Sequence, residues 1–289
     1  MTIHKILGEV FSMWKLIKAQ CNVILNKKEF AITFIIMLTC VITNHLYNIY
    51  TYHGKEVVDL MAFPEISLLG SNNTASYFFL KIYPFLLVIP SGFSLAQDRN
   101  SSIELLWIQR CGKQLYYISK LLSVFLMTFF CFFIPFLFEI FLNIISFPAN
   151  IHGTLFGYGV YTTNYEFICE YPLFELYYDM PAIYSFLMSL YFSVVTAILA
   201  MLPSAISCIF SKYKAYLLIP VYLLIYVLNI FGVWGTAVTS GNKVTFSMSV
   251  SWCNFMIHDQ QFIRILLVSS VIFIVSLFIY SYKARKDTL

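Results

Sequence analysis

Apolar residues fall along this chain in long runs separated by short polar stretches. Six runs have the length of a membrane span: about 30–50, 77–96, 121–147, 182–210, 216–234 and 262–282. A hydrocarbon core near 30 Å needs roughly 20 apolar residues of helix, and these runs meet that need. Span two contains Pro84, Pro90 and Gly92, span three Pro135, and span four Pro203. Such breakers are tolerated in membranes where neighbouring helices satisfy the freed backbone groups.

Residues 1–29 follow a different rhythm. Ile3, Ile6, Val10, Trp14, Ile17, Cys21 and Ile24 recur at steps of three and four, which predicts a helix over 3–25 with one apolar stripe. Lys5, Glu9, Lys15, Lys18 and Asn22 lie largely off that stripe. The pattern is that of a helix lying in the membrane interface. Between the spans, 51–76, 148–181 and 235–261 read as loops on one side, and 97–120 as a polar, basic loop on the other.

Composition supports a membrane protein. The 289 residues are 60% apolar and only 11% charged, with mean hydropathy +0.78, where a soluble domain carries about 25% charge. The basic residues then orient the chain. Fourteen of the 18 Lys and Arg fall at one set of span ends, and only Lys55, Lys81, Lys243 and Arg264 on or near the other. Basic residues flanking spans stay in the cytoplasm, so both termini are expected inside and the three loops outside. The fold class expected is an all-α polytopic membrane protein, an interfacial helix followed by six spans. The net charge of +4 is explained by orientation and anionic lipid, and implies no nucleic-acid partner.

The seven cysteines are scattered without a CxxC, which gives no support to a metal site. Cys169 and Cys253 alone fall in outer loops and are candidates for a disulfide. Catalytic patterns are weak. Gly92-Phe93-Ser94-Leu95 resembles the serine of intramembrane proteases, but no span core offers a histidine; His45 lies near the outer end of span one. There is no G-x-x-x-x-G-K-[ST], the loop that cradles ATP phosphates. Glu139 is the one acid well inside a span. An isolated charge there costs several kcal/mol, so Glu139 either pairs with Lys81 in span two or lines a substrate path.

The inner loop carries the most specific signal. It reads Gln97-Asp98-Arg99-Asn100-Ser101-Ser102-Ile103-Glu104-Leu105-Leu106-Trp107-Ile108-Gln109-Arg110-Cys111-Gly112-Lys113. Ser101 and Glu104 fit a capping box, and Gly112 a C-terminal stop. A short helix over about 102–110 is expected, presenting Ile103, Leu106, Trp107 and Arg110 on one side. An exposed Trp among leucines suits docking of a partner; the alternative is an interfacial helix with Trp107 among headgroups.

This run resembles the loop after the second span in permeases of the type-2 ABC exporter family, which have the type V fold. Their pattern is an acidic–basic pair, Ser-Gly-Thr, Glu-Leu-Leu, Arg-Pro, and Tyr before a Lys. The chain has Asp98-Arg99, Ser101-Ser102, Glu104-Leu105-Leu106, Arg110, Tyr116-Tyr117 and Lys120, with Ser102 for the family Gly and Cys111 for the Pro. The general plan also matches over the whole length. The resemblance implies a coupling helix at Ser101, Glu104, Leu105, Leu106, Trp107 and Arg110 that contacts an ATPase subunit. It implies two copies of that ATPase, which bind ATP and Mg, and a second permease half, identical or not. The chain itself would bind no cofactor and would not be an enzyme.

An amphipathic or hydrophobic peptide is the first expectation for a substrate, ahead of a lipid-linked glycan or a drug. The loop 148–181 carries Glu166, Glu170, Glu175 and Asp179 and no Lys or Arg, a surface that either attracts cationic peptides or is simply solvated. The richness in Ile, Asn, Lys, Phe and Tyr points to a bacterial plasma membrane. The rival readings are a stand-alone secondary transporter, which often shows two halves with matched broken helices, and a polytopic membrane enzyme.

Overall fold

A long apolar run can satisfy its backbone in lipid only within itself, so these runs fold as helices. The computed structural model describes residues 3–55, 60, 63–69, 73–148, 173–208, 217–223 and 259–286. Among the described residues the fold is all-helical, with no strand. In chain order the helices are α1 (Ile3–Leu25), α2 (Lys28–Tyr52), α3 (Phe63–Ile66), α4 (Thr74–Val88), α5 (Ser94–Asn100), α6 (Ile103–Cys111), α7 (Lys113–Ser146), α8 (Phe174–Asp179), α9 (Pro181–Ser207) and α10 (Asp259–Lys286). Helices α2, α7 and α9, with the Ile265–Arg285 part of α10, are long and apolar enough to cross a membrane. The chain is thus read as a membrane protein. Of the expected fifth span only 217–223 is described, and the loops 148–181 and 235–261 lie mostly outside the described residues.

The expected second span is not one helix. Helix α4 has 15 residues and ends at Val88, and α5 begins at Ser94. Pro90 lacks an N–H to continue the ladder. Gly92 closes the gap by donating to Val88 O at 2.9 Å. A Cβ on Gly92 would stand 2.6 Å from that same oxygen and 3.3 Å from Pro203 Cγ of α9. The bare Cα lets the chain turn against its neighbour.

Helix α7 departs in the other direction. It has 34 residues, roughly 51 Å at 1.5 Å each, longer than the hydrocarbon core. It begins eight residues before the expected span, so much of the expected loop 97–120 is helical. Those first turns carry Tyr116, Tyr117 and Lys120.

Packing follows membrane rules. Helices gain no hydrophobic drive against lipid tails, so close contact depends on small residues and interlocking rings. Helix α9 buries Ser185, Ser189, Ser193, Ala197, Ala200 and Ser204 along one face. Ser193 donates to Ser189 O at 2.7 Å and Thr196 to Phe192 O at 2.8 Å, so hydroxyls are satisfied within their own turns. Between α4, α7 and α9, Phe192 meets Tyr83 at 5.4 Å and Phe136 at 5.5 Å between ring centres. Tyr83 and Thr196 share a hydrogen bond of 2.9 Å.

Helix α1 is amphipathic as expected, but its buried face is rotated. Leu16, Ile17, Gln20 and Ile24 are buried, whereas Trp14, placed on the stripe by spacing, is exposed. The cause is a polar clasp. Gln20 donates to Ser119 Oγ at 3.1 Å and accepts from Ser123 at 3.2 Å, turning α1 onto α7. Trp14, Lys15 and Lys18 are left outward, suited to a headgroup layer.

Candidate functional site

The first candidate lies where α5, α6 and α7 meet the end of α9. Asp98 is buried on α5. Its carboxylate accepts from Lys120 Nζ at 2.5 Å and from Tyr116 Oη at 3.0 Å, with Lys27 Nζ at 3.9 Å. Two lysines around one acid keep that carboxylate compensated in a dry site.

The neighbouring Arg99 turns the other way. Its Nη1 donates to Ser207 O and Cys208 O, both at 2.8 Å. These are carbonyls at the C-terminal end of α9, where a cation also meets the negative pole of the helix. Its Nε donates to Glu104 of α6 at 2.9 Å. Burial is the largest single influence and works against the guanidinium charge, but Glu104, Tyr117 and Cys208 together outweigh it, and the net effect raises the Arg99 pKa above its ordinary value. The other oxygen of Glu104 accepts from Tyr117 Oη at 2.7 Å. Glu29 of α2 accepts from Gln97 at 2.5 Å. Asp98, Arg99, Glu104, Tyr116, Tyr117 and Lys120 therefore form one buried polar assembly that ties α6 to α5, α7 and α9.

The capping box is corrected by this geometry. Ser101 does not cap α6; its hydroxyl donates back to Gln97 O at 2.9 Å and closes α5. No side chain caps α6, whose first residue follows Ser102. Glu104 is engaged by Arg99 and Tyr117, and charge-assisted bonds outcompete a capping contact. Ser102 stands at φ +57, in the left-handed region. Glycine is the residue that adopts this conformation without penalty. Gly112 ends α6 at φ +79 and ψ 154, a region open to little but Gly.

The outward face of α6 also differs from expectation. Trp107 is half-buried and, with Ile108, packs against a buried cluster that includes Leu95, Tyr116, Tyr117, Leu121 and Tyr280. The exposed residues are Leu105 at 62%, Leu106 at 57% and Ile103 at 42%, beside exposed Arg110. Glu104, Trp107, Ile108 and Cys111 point inward at helical spacing, which leaves the leucines outside. Trp107 anchors the helix and the leucines form its free surface.

A second constellation lies at the opposite ends of α2 and α7. Glu139 is fully buried, and Lys81 is exposed. The Glu139 carboxylate accepts from Asn44 at 2.8 Å and from the backbone N–H of Leu68 at 2.5 Å. Nearby, His45 Nδ1 meets Asn143 Oδ1 at 3.0 Å and Asn73 donates to Asn44 Oδ1 at 2.6 Å. Sequence reasoning singled out Glu139 but not Asn44, Asn48, Asn73 or Asn143. Their signal was present: Asn44 and Asn48, like Glu139 and Asn143, are one helical turn apart in apolar runs. His45 serves this seam, so Ser94, which is buried beside the α4–α5 break, gains no imidazole partner from it. Cys169 and Cys253 lie outside the described residues, and among those described no cluster of His, Cys, Asp or Glu suits a metal.

No family model matches the chain, and no curated protein or solved structure matches it.

Proposed function

We propose that the chain is the membrane permease subunit of an ATP-driven ABC exporter that works with a separate ATPase polypeptide, as its resemblance to the type-2 exporter permeases implies. One observation carries this reading. Asp98, Arg99, Glu104, Tyr116, Tyr117 and Lys120, scattered over 23 positions of the sequence, converge in one buried assembly behind a short helix with exposed leucines. Such an assembly makes α6 a strut. A displacement of α6 passes through Glu104–Tyr117 to α7 and through Arg99 to the end of α9. Two ATPase copies closing on ATP and Mg would supply that displacement, and a second permease half would complete the path. The chain contributes no catalytic group of its own. The setting is a cell membrane crossed several times, of bacterial plasma-membrane type. The cargo proposed is an amphipathic or hydrophobic peptide.

Co-purification tests this reading. The native chain, extracted from its own membrane, is expected to retain an ATPase polypeptide. Leu105→Asp with Leu106→Asp places two charges on the apolar contact and should cut ATPase recovery about tenfold or more, with membrane insertion unchanged. A native chain that retains no ATPase, or a double variant that retains it in full, overturns the proposal.

A further inference from the structure

We propose that the seam around Glu139 is a peptide-backbone binding site, occupied in this structure by the chain's own segment 66–68. The inference deepens the export reading above and rests on it for the class of cargo. Four side chains from three helices read three backbone groups of that segment, on Ile66 and Leu68. Asn44 and Asn48 of α2 both donate to Ile66 O, at 3.0 and 2.8 Å. Glu139 of α7 accepts Leu68 N–H at 2.5 Å. Ser76 of α4 donates to Leu68 O at 3.0 Å. None of these contacts uses a side chain of the segment. The one hydroxyl available there, on Ser67, turns back to Pro64 O at 2.7 Å. Ile66, Leu68 and Leu69 are buried at 2–3% exposure, so the seam joins backbone hydrogen bonds to apolar pockets.

A local turn would satisfy one loop amide far more cheaply than a buried carboxylate, whose desolvation is costly. Recognition of main-chain donors and acceptors with apolar side pockets is the chemistry that holds any apolar peptide regardless of sequence. A second observation points the same way. Asn143, one turn along α7 from Glu139, is fully buried, and among the described residues its Nδ2 has no hydrogen-bond partner. A backbone carbonyl is a suitable acceptor for that donor. Segment 66–68 then acts as an internal surrogate that a cargo peptide displaces.

The test uses the full chain purified into lipid nanodiscs. The probe is a short, end-blocked alanine–leucine peptide carrying a diazirine leucine. Photolysis should attach it to α2 and α7 near Asn44 and Glu139. Added peptide should also raise N-ethylmaleimide labelling of Ser67→Cys above the native chain's background. Glu139→Leu removes the acceptor and should lower attachment about fivefold or more, whereas Glu139→Gln keeps an acceptor and should stay within about twofold of native. If Glu139→Leu fails to accumulate, Ser76→Ala removes one hydroxyl from the same cradle and should lower attachment in the same direction. Attachment elsewhere, or Ser67→Cys labelling indifferent to peptide, overturns the proposal. ATPase retention is scored on the same samples. Its absence alongside seam attachment sinks the export reading alone, and the reverse sinks the seam alone.

Discussion

Asp98 shows how a charge survives in the assembly behind α6. Three groups surround it: Lys120, Tyr116 and Lys27. Lys120 is almost wholly buried, and Asp98 is the acid that ion-pairs with it. Removing one partner of a buried pair commonly costs about 3–5 kcal/mol, because the survivor keeps its desolvation penalty. The asymmetry of partners ranks the variants. Asp98→Ala strands Lys120, whereas Lys120→Met leaves Asp98 with Tyr116 and Lys27 nearby. Thermal unfolding in detergent should therefore show a larger loss for Asp98→Ala than for Lys120→Met, and a double variant losing less than the two together. Strict additivity would mean that the pair is not coupled. Ser102 offers the opposite kind of change. A non-glycine residue at φ +57 carries about 1 kcal/mol of backbone penalty, part of which glycine returns through its own entropy. Ser102→Gly should raise stability by about 0.5 kcal/mol, and Ser102→Val should lower it, since β-branched residues resist that region.

At the scale of elements, the break between α4 and α5 is decided by one missing side chain. A Cβ on Gly92 would stand so close to Val88 O that Ala there must push either the turn or Pro203 of α9 aside. Gly92→Ala is expected to lower the unfolding temperature and to weaken ATPase retention, because α5 carries Asp98 and Arg99. Normal retention in a stably folded Gly92→Ala chain would show that the turn is not what positions α5. The same stretch shows where sequence is mute. Pro84, Pro90 and Gly92 announce breakers, yet Pro84 sits inside α4 and Pro135 inside α7. A breaker interrupts a helix only where neighbours make the interruption favourable, and that is tertiary information. The short helix α6 was legible from its length, its charged ends and Gly112. Its facing was not, because Trp107 and Leu106 are equally apolar. Which of them turns inward depends on a cluster drawn from α5, α7, α9 and α10, up to more than 170 residues further along. The Glu104 carboxylate was misread for the same reason: its partners Arg99 and Tyr117 lie on neighbouring helices.

Across the whole molecule, the two constellations sit at opposite ends of α7, and the basic residues carry the expectation of which end faces the cytoplasm. Lys27, Lys28, Arg99, Arg110, Lys113 and Lys120 gather at the end bearing α6; Lys55, on the chain leaving α2, lies at the other. The membrane-spanning character and the clustering of charge were both readable along the chain itself, since neither depends on which helix meets which. On the topology expected from the positive-inside rule, α6 lies in the cytoplasm, where an ATPase can reach it, and the Glu139 seam lies toward the exterior. Gln109, exposed on α6, and Asn164, in the stretch expected outside, test this arrangement. A membrane-impermeant maleimide applied to intact cells should label Asn164→Cys and spare Gln109→Cys until the membrane is opened, each measured above the native cysteines' background. Labelling of Gln109→Cys from outside would put the leucine face of α6 on the wrong side for any ATP-driven partner. It would remove the export reading however well the seam binds peptide, since a strut can transmit only a force applied on its own side of the bilayer.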